Sequence, residues 1–411
     1  MDTFTNIRQG DLKMISVGID VSKDKSTVCI LKPSGEVIRS PYEITHTNSQ
    51  LLELVSLIKS FGDETRVILE ATGNYHLPVL SYLEEHDVFV AVINPLVMKK
   101  YVNTSLRKGK TDKMDAIKIA NYGLDNWYHL MKYQPSEETY TELRLLGRQY
   151  AHYIKLKIES KLALTNILDL TMPGIKALLS SRSIKPEKDK LNDFVEEYWH
   201  FDNIKQQSQE EFINSYGDWA KRKGYHKSES KAITIYKVAQ SSIPTLSANT
   251  RTQTLVLESV RVLREIDKTL ALILAEMEEL ARGLQEYEVV RNLHGVGDVL
   301  AVRLIAEIGD IRRFHSSKAL VAYAGIDAPP YQSGKFVGSN RKISKRGSSI
   351  LRKTGYEVMR CLKSNKPQDD PVYLYIMKKE SEGKAKKVAN IAGLNKFLRI
   401  YYAKVKELYT A

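Results

Sequence analysis

"MISVGIDVSKDKSTVCIL", residues 14–31, decides the fold. Ile15, Val17 and Ile19 alternate with Ser16, Gly18 and Asp20, the period-two pattern of a strand with one buried face. On this reading the three aliphatic side chains enter a core, and Asp20 points away from it at the strand's end. An acid there needs no function, because a strand end is solvated. It acquires one if other carboxylates converge on the same place.

Working outward, residues 14–20, 26–31 and 36–44 are expected as three successive strands, the last two joined by the turn "KPSG" in an antiparallel meander. A helix at about 48–61 follows, entered through Thr47 with Gln50 three residues on, a capping-box pattern. Then come a strand "RVILEAT", a helix at about 76–86, a strand "VFVAVIN" and a helix from Thr111. Three antiparallel strands followed by helix, strand, helix, strand and helix is the element order of the ribonuclease H-like fold. The opening hairpin also resembles the first phosphate loop of sugar kinases and actin-like ATPases. That reading needs a second phosphate loop and a Gly-rich adenosine segment, and the sequence offers neither.

The element order places four acids. Glu70 falls near the carboxyl end of its strand, where α/β sheets carry their chemistry. In "KGKTDKMDAIKIANYG", Thr111 is a helix N-cap, with Asp112 and Asp115 on one face of the first turn. Acids there also have a purely structural use, stabilising the helix dipole. Gathered with Asp20, however, four carboxylates repel unless a hard cation neutralises them, and Mg²⁺ takes oxygen ligands. Such ions hold a phosphodiester oxygen and stabilise the charge that develops on cleavage.

The chain has 411 residues, so two or three domains are expected. Lys and Arg number 62 against 49 acids, a net charge of +13 that favours a polyanionic partner, nucleic acid before membrane. No apolar run approaches the ~18 residues of a membrane span, and "MDTFTNIRQGDLK" lacks a secretory core. Cys29 and Cys361 are the only cysteines, which excludes a disulfide framework or a thiolate zinc site and fits a cytoplasmic location. Residues 14–130 read as the ribonuclease H-like domain, 137–285 as a helical coiled-coil region with a polar, basic, poorly periodic insertion at about 180–245, and 286–411 as a carboxyl-terminal domain. Leu263, Ile266, Leu270, Ile273, Met277 and Leu280 alternate steps of three and four, a coiled-coil seam that packs on a second long helix or a second subunit. Within the insertion, loops or nucleic-acid contacts are expected; Trp199, His200 and Trp219 read as packing residues and His226 as a solvated loop residue.

"LHGVGDVLAVRLIAEIGDIRRF", residues 293–314, reads as a helix-hairpin-helix whose Gly295 and Gly297 free backbone N–H groups for a phosphate, or as a plain Gly-rich turn. From Lys335 to Arg360 eight Lys and Arg face one acid, Glu357, with glycines and aromatics interleaved. That composition suits a loop on a nucleic-acid backbone, with Lys335, Arg341, Lys342, Lys345, Arg346 and Arg352 as its contacts. A serine there could attack phosphorus. Chemistry alone does not separate Ser333 from Ser339, Ser344, Ser348 or Ser349.

"GIDVSK", "EATGNYH" and "KTDKMDA", with "GVG", "AYAGIDAPPYQSGKF" and "KRGSSILR" in the last third, resemble the DEDD-type transposases of the IS-one-ten insertion-sequence family, recombinases of bacterial mobile elements. The resemblance implies an amino-terminal domain like that of the RuvC-type Holliday-junction resolvases, a coiled-coil middle and a carboxyl-terminal transposase domain. It assigns the metal-binding acids to Asp20, Glu70, Asp112 and Asp115, with Mg²⁺ or Mn²⁺ as the cofactor, and the covalent nucleophile to Ser333. It further implies double-stranded donor and target DNA, a structured guide RNA (the bridge RNA) that pairs with both, and action on the nucleoid. The family pattern often begins where Met14 stands, so residues 1–13 read as an extension or a misassigned start, and the 180–245 insertion is longer than the usual middle section. Recombination holds at least two strand breaks together, so a homo-oligomer, a dimer or dimer of dimers, is expected. Two readings compete with a recombinase: a metal-dependent resolvase that forms no covalent intermediate, and a non-catalytic DNA-binding protein.

Overall fold

The computed structural model describes residues 14–71, 73–102, 111–135, 137–179, 188–328 and 342–410, together with the backbone of 332–333 and 336–337. Residues 1–13, Lys335, Arg341 and the side chain of Ser333 therefore lie outside the described residues. The chain divides into two compact units, Met1–Pro135 and Ser136–Ala411.

In the first unit, β1 (Met14–Val21), β2 (Lys25–Leu31), β3 (Val37–Thr45), β4 (Glu64–Glu70) and β5 (Val90–Ile93) form a sheet in the order β3-β2-β1-β4-β5. β2 is antiparallel to both β1 and β3, while β4 runs parallel to β1 and to β5. This mixed sheet has the ribonuclease H-like topology. The helices are α1 (Asn48–Ser60), α2 (Leu77–Glu85), α3 (Pro95–Val102) and α4 (Asp112–Asp125). Ile15, Val17 and Ile19 share a core with Leu51, Leu54, Val55 and Ile58 of α1 and with Val79, Leu80 and Leu83 of α2.

Two local expectations fail. β1 is buried on both faces, not one: Ser16 and Gly18 are as inaccessible as their aliphatic neighbours. Small residues at these positions let α4 lie directly on the strand; a Cβ on Gly18 would stand 2.3 Å from Ala120 N and 2.4 Å from Ala116 O. The Ser16 hydroxyl donates to Ala120 O at 2.7 Å. Thr47 does cap α1 by position, but its hydroxyl takes no helix N–H, and the Gln50 side chain accepts from Thr45 N at 2.5 Å instead of closing a capping box. The short α3, eight residues behind Pro95, was not anticipated, being too short to display a helical period.

In the second unit α5 (Glu138–Thr171) and α11 (Thr250–Arg282) pack on each other along their length. Leu263, Ile266, Leu270 and Met277 of the seam are buried inside the chain. The seam therefore finds its partner in α5 and gives no independent reason for a second subunit. Between them come α6 (Ile175–Leu179), α7 (Lys190–Tyr198), α8 (Asp202–Lys205), α9 (Gln209–Arg222) and α10 (Glu229–Ser241). The expected loops of the insertion are thus helices around an aromatic core of Phe194, Tyr198, Phe201, Phe212, Tyr216 and Trp219. Buried His200 and Trp219 are packing residues and His226 is exposed, as anticipated. Residues 188–245 hold nine bases and nine acids, so this lobe has no basic excess. Many of those charges pair: Arg264 of α11 reaches Asp193 at 2.7 Å and Glu196 at 2.5 Å on α7.

The remaining elements are α12 (Glu286–Arg291), α13 (Asp298–Ile308), α14 (Ser317–Tyr323), the short strands β6 (Gln332–Ser333) and β7 (Phe336–Val337), α15 (Ser349–Asn365), α16 (Pro371–Ser381) and α17 (Lys386–Glu407). They bury Ala301, Leu304, Leu320, Val358, Leu362, Leu394 and Leu398 in one core with the adjoining ends of α5 and α11.

Candidate active site and nucleic-acid interface

The sheet register brings two of the acids together. Parallel pairing of β1 and β4 runs through Ile19 and Leu69, so Asp20 and Glu70 are the next residues on adjacent strands at the carboxyl edge. Both are partly buried. α4 supplies the other two. Gly123 lies against Ser16, and Ala120 and Ala116 against Gly18, so α4 runs antiparallel to β1. One turn further toward its start, about 6 Å along the axis, is Asp112, while two residues further along β1, about 6.6 Å, is Asp20. The face of α4 that packs on β1 therefore delivers Asp112 to the strand end that carries Asp20. Thr111 caps this helix as anticipated, its hydroxyl accepting from Met114 N at 3.2 Å.

The charges of this edge are coupled. Lys25, just past the β1–β2 turn, has its ammonium held above the ordinary value, chiefly by its hydrogen bond to Glu43, with a smaller contribution from Asp112. Asp115 pairs with Lys118 at 2.9 Å. Side chain by side chain, the acids do not form a ready cage: among the described residues no three His, Cys, Asp or Glu groups stand together as a metal site. The donor chemistry nevertheless fits a hard divalent ion. Carboxylate oxygens from two adjacent strand ends and one helix start are the ligands Mg²⁺ or Mn²⁺ prefers.

In the second unit the helix-hairpin-helix has the anticipated geometry. Gly295, at φ +78°, turns the chain between α12 and α13, and a Cβ there would meet Leu362 Cγ at 2.7 Å on α15. Gly297 is the N-cap of α13 and has open space beside it. Asp298 in the first turn of α13 is paired with Arg291. Of the basic residues, Lys342, Lys345 and Arg346 are exposed. Arg352 is different: its Nη1 donates to Ala324 O at 3.0 Å, Gly347 O at 3.2 Å and Ser348 O at 3.3 Å.

The serines also separate. Ser344 Oγ donates to Asp327 Oδ1 at 2.5 Å, and Ser348 Oγ donates to Glu307 Oε1 at 2.7 Å while capping α15. Ser333 lies in β6, its backbone paired with Phe336 in β7. The carboxylates Asp327 and Glu307 were not anticipated. "AGID" and "AEIG" carry no periodic mark of either partnership, which depends on pairings 17 and 41 residues apart.

Among the described residues no helix is long and apolar enough to cross a membrane. Residues 17–173 match a family model described as a transposase, of the DEDD type, and residues 287–373 match one described as the transposase IS116/IS110/IS902 family. The pilin gene-inverting protein of Moraxella bovis is 23% identical over 396 residues, covering 95% of each chain. A protein of insertion element IS116 from Streptomyces clavuligerus is 21% identical over 79% of each. RuvC of Thermus thermophilus, solved with a Holliday junction substrate, is 12% identical, with 28% of this chain and 96% of that one aligned at a TM-score of 0.22. The two matched segments lie in chain order and together take in more than half of the sequence, and on them the chain belongs to the IS116/IS110/IS902 family of transposases, enzymes of DNA recombination.

Proposed function

We propose that this transposase excises and inserts its element through a serine-linked DNA intermediate, with Asp20, Glu70, Asp112 and Asp115 as ligands of Mg²⁺ or Mn²⁺ and Ser333 as the nucleophile. The observation that carries the reading is the convergence of β1, β4 and the start of α4 on one edge of the sheet. When bound, the divalent ion supplies charge neutralisation at the phosphate under attack. The four acids would hold it, and Lys118, which pairs with Asp115 at 2.9 Å, would keep that carboxylate oriented. Ser333 is the serine that the family motif assigns, while Ser344 and Ser348 donate to the carboxylates of Asp327 and Glu307. Exposed Lys342, Lys345 and Arg346 suit the phosphates of donor and target DNA and of a structured guide RNA.

We further take the working form to be a homo-oligomer, a dimer or dimer of dimers. Ile158 and Leu162 on α5 and Leu255 and Val262 on α11 are exposed apolar side chains outside the internal seam, and they suit such an assembly. The experiment is excision from a plasmid that carries the element with its natural flanking DNA, from which any guide RNA is also transcribed. Ser333→Ala and Asp20→Ala should each abolish excision while leaving DNA binding nearly intact. Excision at the normal rate by Ser333→Ala would refute the nucleophile; cleavage without a protein–DNA adduct would favour a resolvase acting by hydrolysis.

A further inference from the structure

The segment that carries Ser333 leaves the helical core after α14 and rejoins it before α15, and its two ends are bound side by side. Ser348 N donates to Tyr323 O at 2.7 Å, Lys345 N to Gly325 O at 2.9 Å and Ser344 N to Asp327 O at 2.8 Å. Residues 323–327 and 344–348 thus form an antiparallel stem. Side chains then cross it. Ser344 donates to Asp327 across the stem, and Arg352 of α15 gathers carbonyls from both sides, Ala324 on one and Gly347 and Ser348 on the other. Buried Glu307 of α13 accepts from Ser348, and its carboxylate also accepts from Tyr323 Oη at 3.3 Å.

The stem is also sterically closed. A Cβ on Gly347 would stand 2.3 Å from Tyr323 O and 2.7 Å from Gly325 N, all backbone. Lys345 is held at φ +53°, a conformation unusual for a side chain of its size, by its hydrogen bond across the stem. Three independent devices, a serine–carboxylate bond, a guanidinium on three carbonyls and a glycine contact, all act on one short pair of strands. The stem also sends Ala324 and Ile326 into the hydrophobic core, but none of these three devices is itself an apolar core contact.

We propose that Asp327, Ser344 and Arg352 are positioning residues: they clamp the base of the serine hairpin so that its hydroxyl meets the phosphate in a fixed direction. The proposal rests on Ser333 as nucleophile. It removes Arg352 from the direct DNA contacts and gives the acid of "AGIDAPP" a task. A serine has little intrinsic nucleophilicity, so orientation supplies a large share of its rate; a misplacement of ~1 Å costs on the order of 100-fold.

Two readouts test it on the full chain: hydrogen exchange of the isolated protein, and the rate of covalent adduct formation on the flanking-DNA plasmid at saturating protein. Asp327→Ala and Ser344→Ala should each speed amide exchange in the stem, residues 323–327 and 344–348, and leave α13 and α15 unchanged. Each should slow adduct formation by roughly 10- to 100-fold, with the double variant no worse than the slower single one, as expected of groups acting as a unit. DNA affinity and melting temperature should hold, and Ser344→Thr, which keeps the hydroxyl, should restore the rate. Unchanged exchange in both alanine variants would overturn the clamp whatever the chemistry. Faster exchange with an unchanged adduct rate, while Ser333→Ala forms none, would overturn its positioning role alone. An adduct formed by Ser333→Ala but not by Ser344→Ala would instead move the nucleophile to Ser344.

Discussion

Gly18→Ala is the sharpest perturbation the amino-terminal unit offers. The added methyl would stand 2.3 Å from Ala120 N, 2.4 Å from Ala116 O and 2.8 Å from Ala120 Cα, and all three atoms belong to the backbone of α4. Carbon contacts are comfortable at about 3.5–4.0 Å, so no rotamer change relieves them and α4 must withdraw from β1 by roughly 1 Å. Overpacking of this kind costs about 1–3 kcal/mol. Losing the Ser16–Ala120 hydrogen bond adds about 1 kcal/mol. The same withdrawal carries Asp112 and Asp115 away from Asp20, so strand cleavage should fall by roughly 100-fold even in the folded fraction. Urea unfolding and plasmid cleavage measure the two effects separately. Gly62→Ala, where a Cβ would meet nothing within 4 Å, is the control and should stay within ~0.5 kcal/mol of the parent. A Gly18→Ala protein with the parent's unfolding midpoint and cleavage rate would refute the close approach of α4 to β1, and with it the placement of the acids.

Three further outcomes are expected. Arg264→Ala should weaken the α7–α11 contact, and because Arg264 holds the Glu196 carboxyl below its ordinary value of 4.5, the difference from the parent should be full at neutral pH and fade as the pH falls through the lowered value; urea unfolding across pH measures it, and a pH-independent difference would contradict the pairing. Leu162→Glu with Leu255→Glu should give a monomer in sedimentation with an unchanged melting temperature, since both side chains are already exposed; an assembly that persists places the interface elsewhere. Chelation should stop DNA cleavage and leave DNA binding intact, with Mg²⁺ or Mn²⁺ restoring it, and Asp20→Asn should not be restored by either ion; cleavage that survives chelation would remove the divalent ion from the reaction.

Where the sequence could be read, local chemistry was sufficient. The period-two run of β1, the "KPSG" turn and the order of the following elements give the sheet and its strand order, and Thr111 announces the start of α4. What could not be read depends on distant pairing. Ser16 and Gly18 look like a polar strand face because their partner, the backbone of α4, is a hundred residues away. In the α7–α10 lobe the helical period is carried by aromatic residues among many charges, Phe212, Tyr216 and Trp219 standing at i, i+4 and i+7 of α9, and the stretch reads as loop. Arg352 reads as a phosphate contact in any basic run, and the bonds of its Nη1 to three carbonyls leave no mark in the sequence. The oligomer argued from the heptad helix loses that support for the same reason, since α5 fills the seam.

The covalent intermediate is tested most directly by identifying the peptide that carries DNA. Cleavage after Lys318 and Lys335 releases residues 319–335, a peptide with one serine, Ser333, beside Tyr323 and Tyr331. The protein would be stopped during reaction with the flanking-DNA plasmid and Mg²⁺, digested with nuclease and trypsin, and the surviving nucleotide located by mass spectrometry. A nucleotide on Ser333 of peptide 319–335, absent from Ser333→Ala, is the expected result. Cleaved DNA with no linked peptide, or a nucleotide on any other residue, would contradict the account.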